Sequence, residues 1–291
     1  MSFESSPRLT IRSATIIGRF IGMDPRLTAK IAPFACVDGL HRLVLDDGTR
    51  VVVKRRQHAP QGFFAMEAHG LALLRDTRTL RVPRVHGAAH DTIVLEDLGA
   101  GRAGAEAWAR AGRALAQLHA HTSPTFGLDR DGWCGDSPQR NAQNTDGWRF
   151  FAECRLLPQG KRAFDAGRLG AHEMAALERL CLALPARIPE QPASLVHGDL
   201  WTANLHACAD GELALIDAAA VHYGWAEADL AMLTLFGEPP AALFAAYEEA
   251  AGVDASWRRR APVYNLYHLL NHLNLFGSSY LGGVVTALRG A

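Results

Sequence analysis

The run Leu195-Val196-His197-Gly198-Asp199-Leu200-Trp201-Thr202-Ala203-Asn204 is followed, thirteen residues after Asn204, by Asp217. H-x-D-x-x-x-x-N offers a carboxylate and an amide oxygen at fixed separation, and Asp217 offers a second carboxylate. Transfer of a phosphoryl group from a magnesium nucleotide needs such a set. One carboxylate orients and deprotonates the accepting hydroxyl, and hard oxygen ligands hold the cation against the phosphates. Taken singly, HGD is an ordinary turn and Asp217 a strand end. The segment between them changes the reading: in NLHACADGELALIDA, Asp210-Gly211 separates two apolar runs and predicts a hairpin. Such a hairpin returns the chain so that Asp217 faces the same site as Asp199, the spacing logic of a kinase catalytic loop and its metal-binding aspartate.

These groups need a scaffold. LHRLVLDDGTRVVVK holds two β-rich runs around Asp47-Gly48, a hairpin signal, and Lys54 ends the second run after Val51-Val52-Val53. Residues 63–75 read as a helix with Phe63, Met66, Gly70, Leu73 and Leu74 on one face, and Glu67 lies on that helix. A strand-terminal lysine can grip nucleotide phosphates while a helix glutamate pairs with it; Arg55 and Arg56 are competing cations. Thr92 to Leu95 form a buried strand that runs through Glu96 to Leu98, where the backbone could face an adenine or simply enter a linker. From Gly99 the pattern turns helical. The expectation is an α+β chain with a two-lobed, protein-kinase-like organisation: a small β-rich nucleotide-binding unit over residues 1–98, a larger, mostly helical catalytic unit over 99–291, and a cleft between them.

Composition removes several other classes. The 291 residues carry thirty Lys plus Arg against thirty Asp plus Glu, a net charge of zero, and 48% are hydrophobic. No general nucleic-acid or anionic-membrane binder is expected from that balance. The five cysteines, Cys36, Cys134, Cys154, Cys181 and Cys208, are odd in number and never form C-x-x-C, so neither a disulfide framework nor a zinc ribbon is indicated and a reducing cytoplasm fits. No H-E-x-x-H accompanies the thirteen histidines, which argues against a metallohydrolase. Residues 261–288 lack Asp, Glu, Lys and Arg, yet Asn265, His268, Asn271, His272 and Asn274 interrupt the leucines. Leu266, Leu269, Leu270 and Leu273 repeat at helical spacing, so an amphipathic helix of a soluble protein is expected rather than a membrane span.

LVHGDLWTAN, then ID, YGWAEADLAMLTLFGEPPAALFAAYEE and YNLYHLLNHLNLFG together resemble the fructosamine (ketosamine) 3-kinase family. The resemblance runs from about Lys54 onward and includes Gly127-Leu128, Trp148, Phe150-Phe151 and Arg155-Leu156-Leu157-Pro158-Gln159. That family belongs to the protein-kinase-like and aminoglycoside-phosphotransferase-like group. The resemblance implies ATP and Mg2+ as cofactors and phosphorylation of O3 of a ketosamine, a deglycation repair whose unstable 3-phosphate releases the amine. Position by position it makes Asp199 the base, Asn204 and Asp217 the magnesium ligands, Lys54 the phosphate-binding lysine and Glu67 its partner. His197 and Asp229 become supports of the catalytic loop, although Asp229 is also a favourable carboxylate at a helix N-terminus. Trp201 and Trp225 are expected to narrow a sugar pocket that suits ribulosamines at least as well as fructosamines.

Two departures stand out. Ala218 replaces the family's usual proline after the metal-binding aspartate. The phosphate-covering loop reads Pro33-Phe34-Ala35-Cys36-Val37-Asp38-Gly39-Leu40, with one glycine and with Asp38 placed near phosphates. Cys36 lies near a loop cysteine of the family, which allows redox pairing between chains or an inert thiol. The expected partner is a ketosamine, free or protein-bound, for a monomer or homodimer in the cytoplasm, without nucleic acid or membrane. A phosphotransferase of aminoglycoside or choline type, and a catalytically weak kinase-like binding protein, are the alternatives.

Overall fold

The computed structural model describes residues 38–45 and 47–290, so Cys36 and most of the glycine-poor loop lie outside the described residues. The chain divides into two compact units, one holding residues up to Ala68 with Pro83–Asp97, the other His69–Val82 with Leu98 onward.

The smaller unit is built on a four-stranded antiparallel sheet. Its elements are β1 (Gly39–Val44), β2 (Arg50–Arg55), the start of helix α1 (Phe63–Asp76), β3 (Val85–Ala88) and β4 (Thr92–Glu96), with strand order β1-β2-β4-β3. Gly48 turns the first hairpin at φ 81°, a conformation that costs glycine little, and the Asp47 carboxylate accepts the Thr49 N–H at 2.9 Å. Alternation along β2 buries Val51 and Val53, which pack with Val94 beneath Leu43 and Leu45. The strand over 92–95 and the helix over 63–75 appear where the sequence placed them, each extended by one residue.

The larger unit is mostly helical. It contains α2 (Ala105–His119), β5 (Thr122–Ser123), β6 (Gly132–Cys134), β7 (Ser137–Gln139), α3 (Gly147–Phe151), α4 (Leu157–Asp165) and α5 (Ala171–Arg187). Then come β8 (Ala193–Val196), β9 (Leu205–Ala207), β10 (Leu213–Leu215), β11 (His222–Gly224), α6 (Ala226–Leu235), α7 (Ala241–Ala251), α8 (Trp257–Phe276) and α9 (Leu281–Gly290). Helices α2 and α7 pack so closely that a Cβ on Gly112 would lie 2.1 Å from the Leu243 carbonyl oxygen. Strand β8 runs between β11 and β5, and β9 pairs antiparallel with β10, Leu205 opposite Leu215. Gly211, at φ 82°, closes that hairpin.

Helix α8 differs from its expectation. Its polar residues are as buried as its leucines: Asn265, His268, Asn271 and Asn274 are all 6% exposed or less. Buried amides require partners, and the fold supplies them on the donor side: Asn265 donates to the Ala231 carbonyl at 2.9 Å, Asn271 to that of Cys134 at 3.1 Å and Asn274 to that of Gln159 at 2.9 Å, while Oδ1 of Asn265 and of Asn274 is left without one. The stripe is an internal hydrogen-bonding seam. Among the described residues, no helix is long and apolar enough to cross a membrane.

Candidate active site

Strand β8 is buried along its length and delivers the chain to His197 and Gly198. Gly198 has φ 80°, and a Cβ there would meet the Ala220 carbonyl oxygen at 2.2 Å, so only glycine makes this turn. Asp229, in the first turn of α6, braces it from behind. Its carboxylate accepts the backbone N–H of His197 at 2.7 Å and of Gly198 at 2.9 Å, and lies 3.3 Å from Nε2 of His119. Burial pushes this carboxyl upward, but its hydrogen bonds to His119 and the backbone outweigh burial and hold it below the usual carboxylate range. A charged strut therefore fixes the loop.

The hairpin β9–β10 brings the remaining candidates together. The Ile216 N–H donates to the Asn204 carbonyl at 3.2 Å, and the Ile216 carbonyl lies 2.8 Å from Nε2 of His197. Asp217 follows directly, with an exposed side chain and φ 60°, a left-handed conformation that aspartate tolerates better than most residues. Its neighbour Ala218 is pressed against α1: a Cβ on Gly70 would lie 1.9 Å from the Ala218 carbonyl oxygen. Asn204 donates through Nδ2 to the Asp199 carbonyl at 2.8 Å, which turns the opposite end of the amide, Oδ1, to other use. An amide oxygen just before β9 and an exposed carboxylate just after its partner strand β10 form a donor set that suits a hard cation such as Mg2+.

Asp199 lies on the same loop with its side chain 25% exposed. Burial, opposed by His197 and reinforced by the negative charges of Asp217 and Asp229, raises its pKa to about 6. Nδ1 of His268 stands 3.7 Å from its Oδ1. Burial drives that imidazole down to about 3, so it is neutral. A partly exposed carboxylate titrating near 6 can take a proton from a hydroxyl at neutral pH.

In the smaller unit, Lys54 Nζ pairs with Glu67 Oε1 at 2.6 Å, and Glu67 is 1% exposed. Glu96 is partly buried, and its carboxylate accepts the Arg84 N–H at 3.1 Å. The backbone expected to face an adenine is partly engaged: the Asp97 N–H donates to Arg50 O, and the carbonyl of buried Leu98 accepts the Ala209 N–H. The Asp38 carboxylate is held by the Gln57 N–H at 2.6 Å.

The two tryptophans differ. Trp201 is 39% exposed and meets Phe236 edge-on at 6.5 Å. Trp225 is 4% exposed and packs on Phe126, Phe151 and Tyr264; it sits largely in an aromatic core and also borders an open cavity with Phe126, Trp148 and Gln191.

The sequence marks Arg155 only as part of the family resemblance and gives it no role at the site. Arg155 lies in a π-helical turn, Ala152–Leu156, that joins α3 to α4, and it is 2% exposed. Its guanidinium donates to the carbonyls of Arg140 and Cys154 and to Asn141 Oδ1, and covers the rings of Phe150 and Tyr267. With His222, Asp229, Tyr267 and His268 it borders an enclosed cavity of about 20 Å³, room for one water. The available signal was an arginine set among apolar residues in FFAECRLL, two positions after Glu153.

Residues 29–290 match the family model for fructosamine kinase. The chain belongs to that family. A Synechocystis protein named as a probable ketoamine kinase is 40% identical over 251 residues, covering 84% of this chain and 83% of its own. The chloroplastic protein-ribulosamine 3-kinase of Arabidopsis thaliana is 33% identical over 266 residues, covering 87% and 79%. A crystal structure of a Thermobifida fusca protein assigned as a fructosamine-3-kinase superposes with a TM-score of 0.81 at 36% identity, covering 86% and 88%. The aminoglycoside phosphotransferase APH(2")-IIa, at 14% identity and a TM-score of 0.58 over 93% of this chain and 97% of its own, shares the kinase-like fold alone.

Proposed function

We propose that this member of the fructosamine kinase family transfers the γ-phosphoryl group of ATP to O3 of ketosamines, ribulosamine and fructosamine adducts of amines, and so initiates their removal. The observation that carries the reading is the Asp199 loop, a partly exposed carboxylate with raised pKa fixed beside two hard oxygen ligands. In this reading Asp199 orients the O3 hydroxyl and accepts its proton, while Asp229 and His197 keep the loop in register. Asn204 and Asp217 are the candidate ligands of Mg2+, which when bound neutralises charge on the phosphates. Lys54, held by Glu67, is the candidate phosphate-binding cation, and the backbone from Glu96 to Leu98 the candidate adenine edge. Trp201 is the candidate sugar-facing ring. The partner is the ketosamine itself, free or carried on a protein, and the compartment is the cytoplasm.

The names of the relatives favour ketosamines over aminoglycosides or choline. Ribulosamines, erythrulosamines and fructosamines are to be compared with ATP consumption as the readout and 31P NMR to locate the phosphate. Ribulosamines are expected to turn over at least as fast as fructosamines. Phosphorylation of choline or an aminoglycoside with no ketosamine turnover would overturn the proposal.

A further inference from the structure

Three side chains that the sequence keeps far apart converge on the candidate base. Cys134 ends β6, His268 lies in the middle of α8, and Asp199 follows β8. Their ligand-type atoms all fall within 4.8 Å of one another. His268 Nδ1 is the common neighbour, 3.8 Å from Cys134 Sγ and 3.7 Å from Asp199 Oδ1. The second distance is too long for a hydrogen bond. Both fit two ligands sharing one ion: Zn–S of about 2.3 Å and Zn–N or Zn–O of about 2.0–2.2 Å at tetrahedral angles require edges of roughly 3.5 Å for S···N and 3.4 Å for N···O. These two edges need to tighten by only a few tenths of an ångström, and the third, between Cys134 Sγ and the Asp199 carboxylate, starts within 4.8 Å against roughly 3.5 Å required.

We propose that Cys134, His268 and Asp199 form a binding site for a thiophilic divalent cation of the zinc type. Thiol, imidazole and carboxylate together select such an ion and are unlike the all-oxygen set of Asn204 and Asp217. Cys134 and His268 are 2% and 5% exposed, so the ion enters along the open side of Asp199, where solvent supplies a fourth ligand. Asn271 steadies the sulfur, donating through Nδ2 to Cys134 Sγ at 3.3 Å and to its carbonyl at 3.1 Å. The buried Arg155 guanidinium acts in both directions, favouring a thiolate and opposing a dication. On binding, the Cys134 thiol gives its proton to solvent and its sulfur lone pair to the metal; no oxidation state changes. A carboxylate held this way is unable to take a proton from an acceptor, so the ion inhibits competitively with the acceptor rather than with MgATP. Binding stands on the geometry alone, and only this inhibition rests on the proposed function.

The test begins with full-length protein stripped by a chelator and titrated with Co2+ alone. A thiolate-to-cobalt absorption band with tetrahedral ligand-field bands is expected, displaced by Zn2+. In Cys134→Ser the band disappears and Zn2+ affinity drops at least about 100-fold, beyond the usual effect of losing a supporting contact. As a check independent of any variant, X-ray absorption of the zinc-loaded wild type is expected to show one sulfur at about 2.3 Å with a nitrogen and oxygen shell near 2.0–2.1 Å. No cobalt band, a band that persists in Cys134→Ser, or a zinc shell without sulfur would each overturn the site. Kinase assays complete the test: micromolar Zn2+ should inhibit the wild type, and Cys134→Ser should keep its uninhibited rate while losing that sensitivity. A Cys134-dependent cobalt band in a protein that phosphorylates no ketosamine upholds the metal site and rejects the kinase reading; ketosamine turnover without the band does the reverse.

Discussion

Replacing Asp199 with asparagine should make the protein more stable while it destroys turnover, and the stability gain should depend on pH. No hydrogen-bond donor reaches the carboxylate oxygens of Asp199 among the described residues, and His268 Nδ1 stops at 3.7 Å. Burial and the charges of Asp217 and Asp229 lift the carboxyl from 3.8 to about 6. Because the folded-state pKa is the higher one, folding is penalised once the group ionises. The penalty is absent well below 3.8, grows through the interval and is complete above about pH 7. At 1.36 kcal/mol per pH unit it reaches about 3 kcal/mol, an upper bound because solvent reaches a quarter of the side chain. The same linkage leaves about 1.6 kcal/mol at pH 5 and about 0.6 kcal/mol at pH 4. Asp199→Asn, measured in EDTA, should therefore melt up to roughly 6–12 °C higher at pH 8, with the difference shrinking steadily on acidification. Turnover should fall by about 10²- to 10⁴-fold. A variant that melts with or below the wild type at pH 8, or whose advantage is unchanged at pH 4, would refute the electrostatic reasoning.

Asp217→Asn keeps the left-handed backbone accessible but removes one negative charge. It should weaken Mg2+-dependent nucleotide binding by calorimetry and move the acid limb of the rate profile, expected near pH 6 in the wild type, to lower pH. Asp229→Asn can no longer accept both loop N–H groups, since its amide nitrogen opposes one of them. A loss of about 2–3 kcal/mol is expected in chemical denaturation, together with reduced turnover. Gly70→Ala must displace Ala218, whose carbonyl oxygen would lie 1.9 Å from the new Cβ, and Asp217 moves with it. MgATP affinity should fall, and unchanged affinity would show that the turn has slack.

The parts of this site that were readable in the sequence are the local ones. Asp199, Asn204 and Asp217 fall within one loop and one hairpin, and Asp210-Gly211 announces the turn that returns the chain. The strand around Val51, the helix bearing Glu67 and the strand ending at Glu96 were equally legible, because period and punctuation are properties of neighbours in the chain. Convergence was not legible. Cys134, Arg155 and His268 reach the surroundings of Asp199 from distant segments, and their meeting depends on how β6, the π-helical turn and α8 pack. Aromatic bulk alone did not separate exposed Trp201 from core Trp225. Nor does helical period say whether the asparagines of α8 face water or protein, since both choices give the same spacing.

The π-helical turn at Ala152–Leu156 carries one more consequence. Such a turn accommodates one residue beyond the α-helical count, so the segment from Gly147 to Asp165 is fixed in length more strictly than in identity. Ahead of the turn, Phe150 and Phe151 are locked into the aromatic core; beyond it, Gln159 is tied to Asn274 by two hydrogen bonds and Arg162 to Ser137. Deleting exposed Glu153 would let the segment relax into continuous α-helix and rotate everything after it by about 100° relative to everything before. Gln159 would then swing away from α8. In an alignment of relatives, a one-residue gap here would mark a change of internal wiring, while many substitutions at the exposed position 153 would leave that wiring untouched.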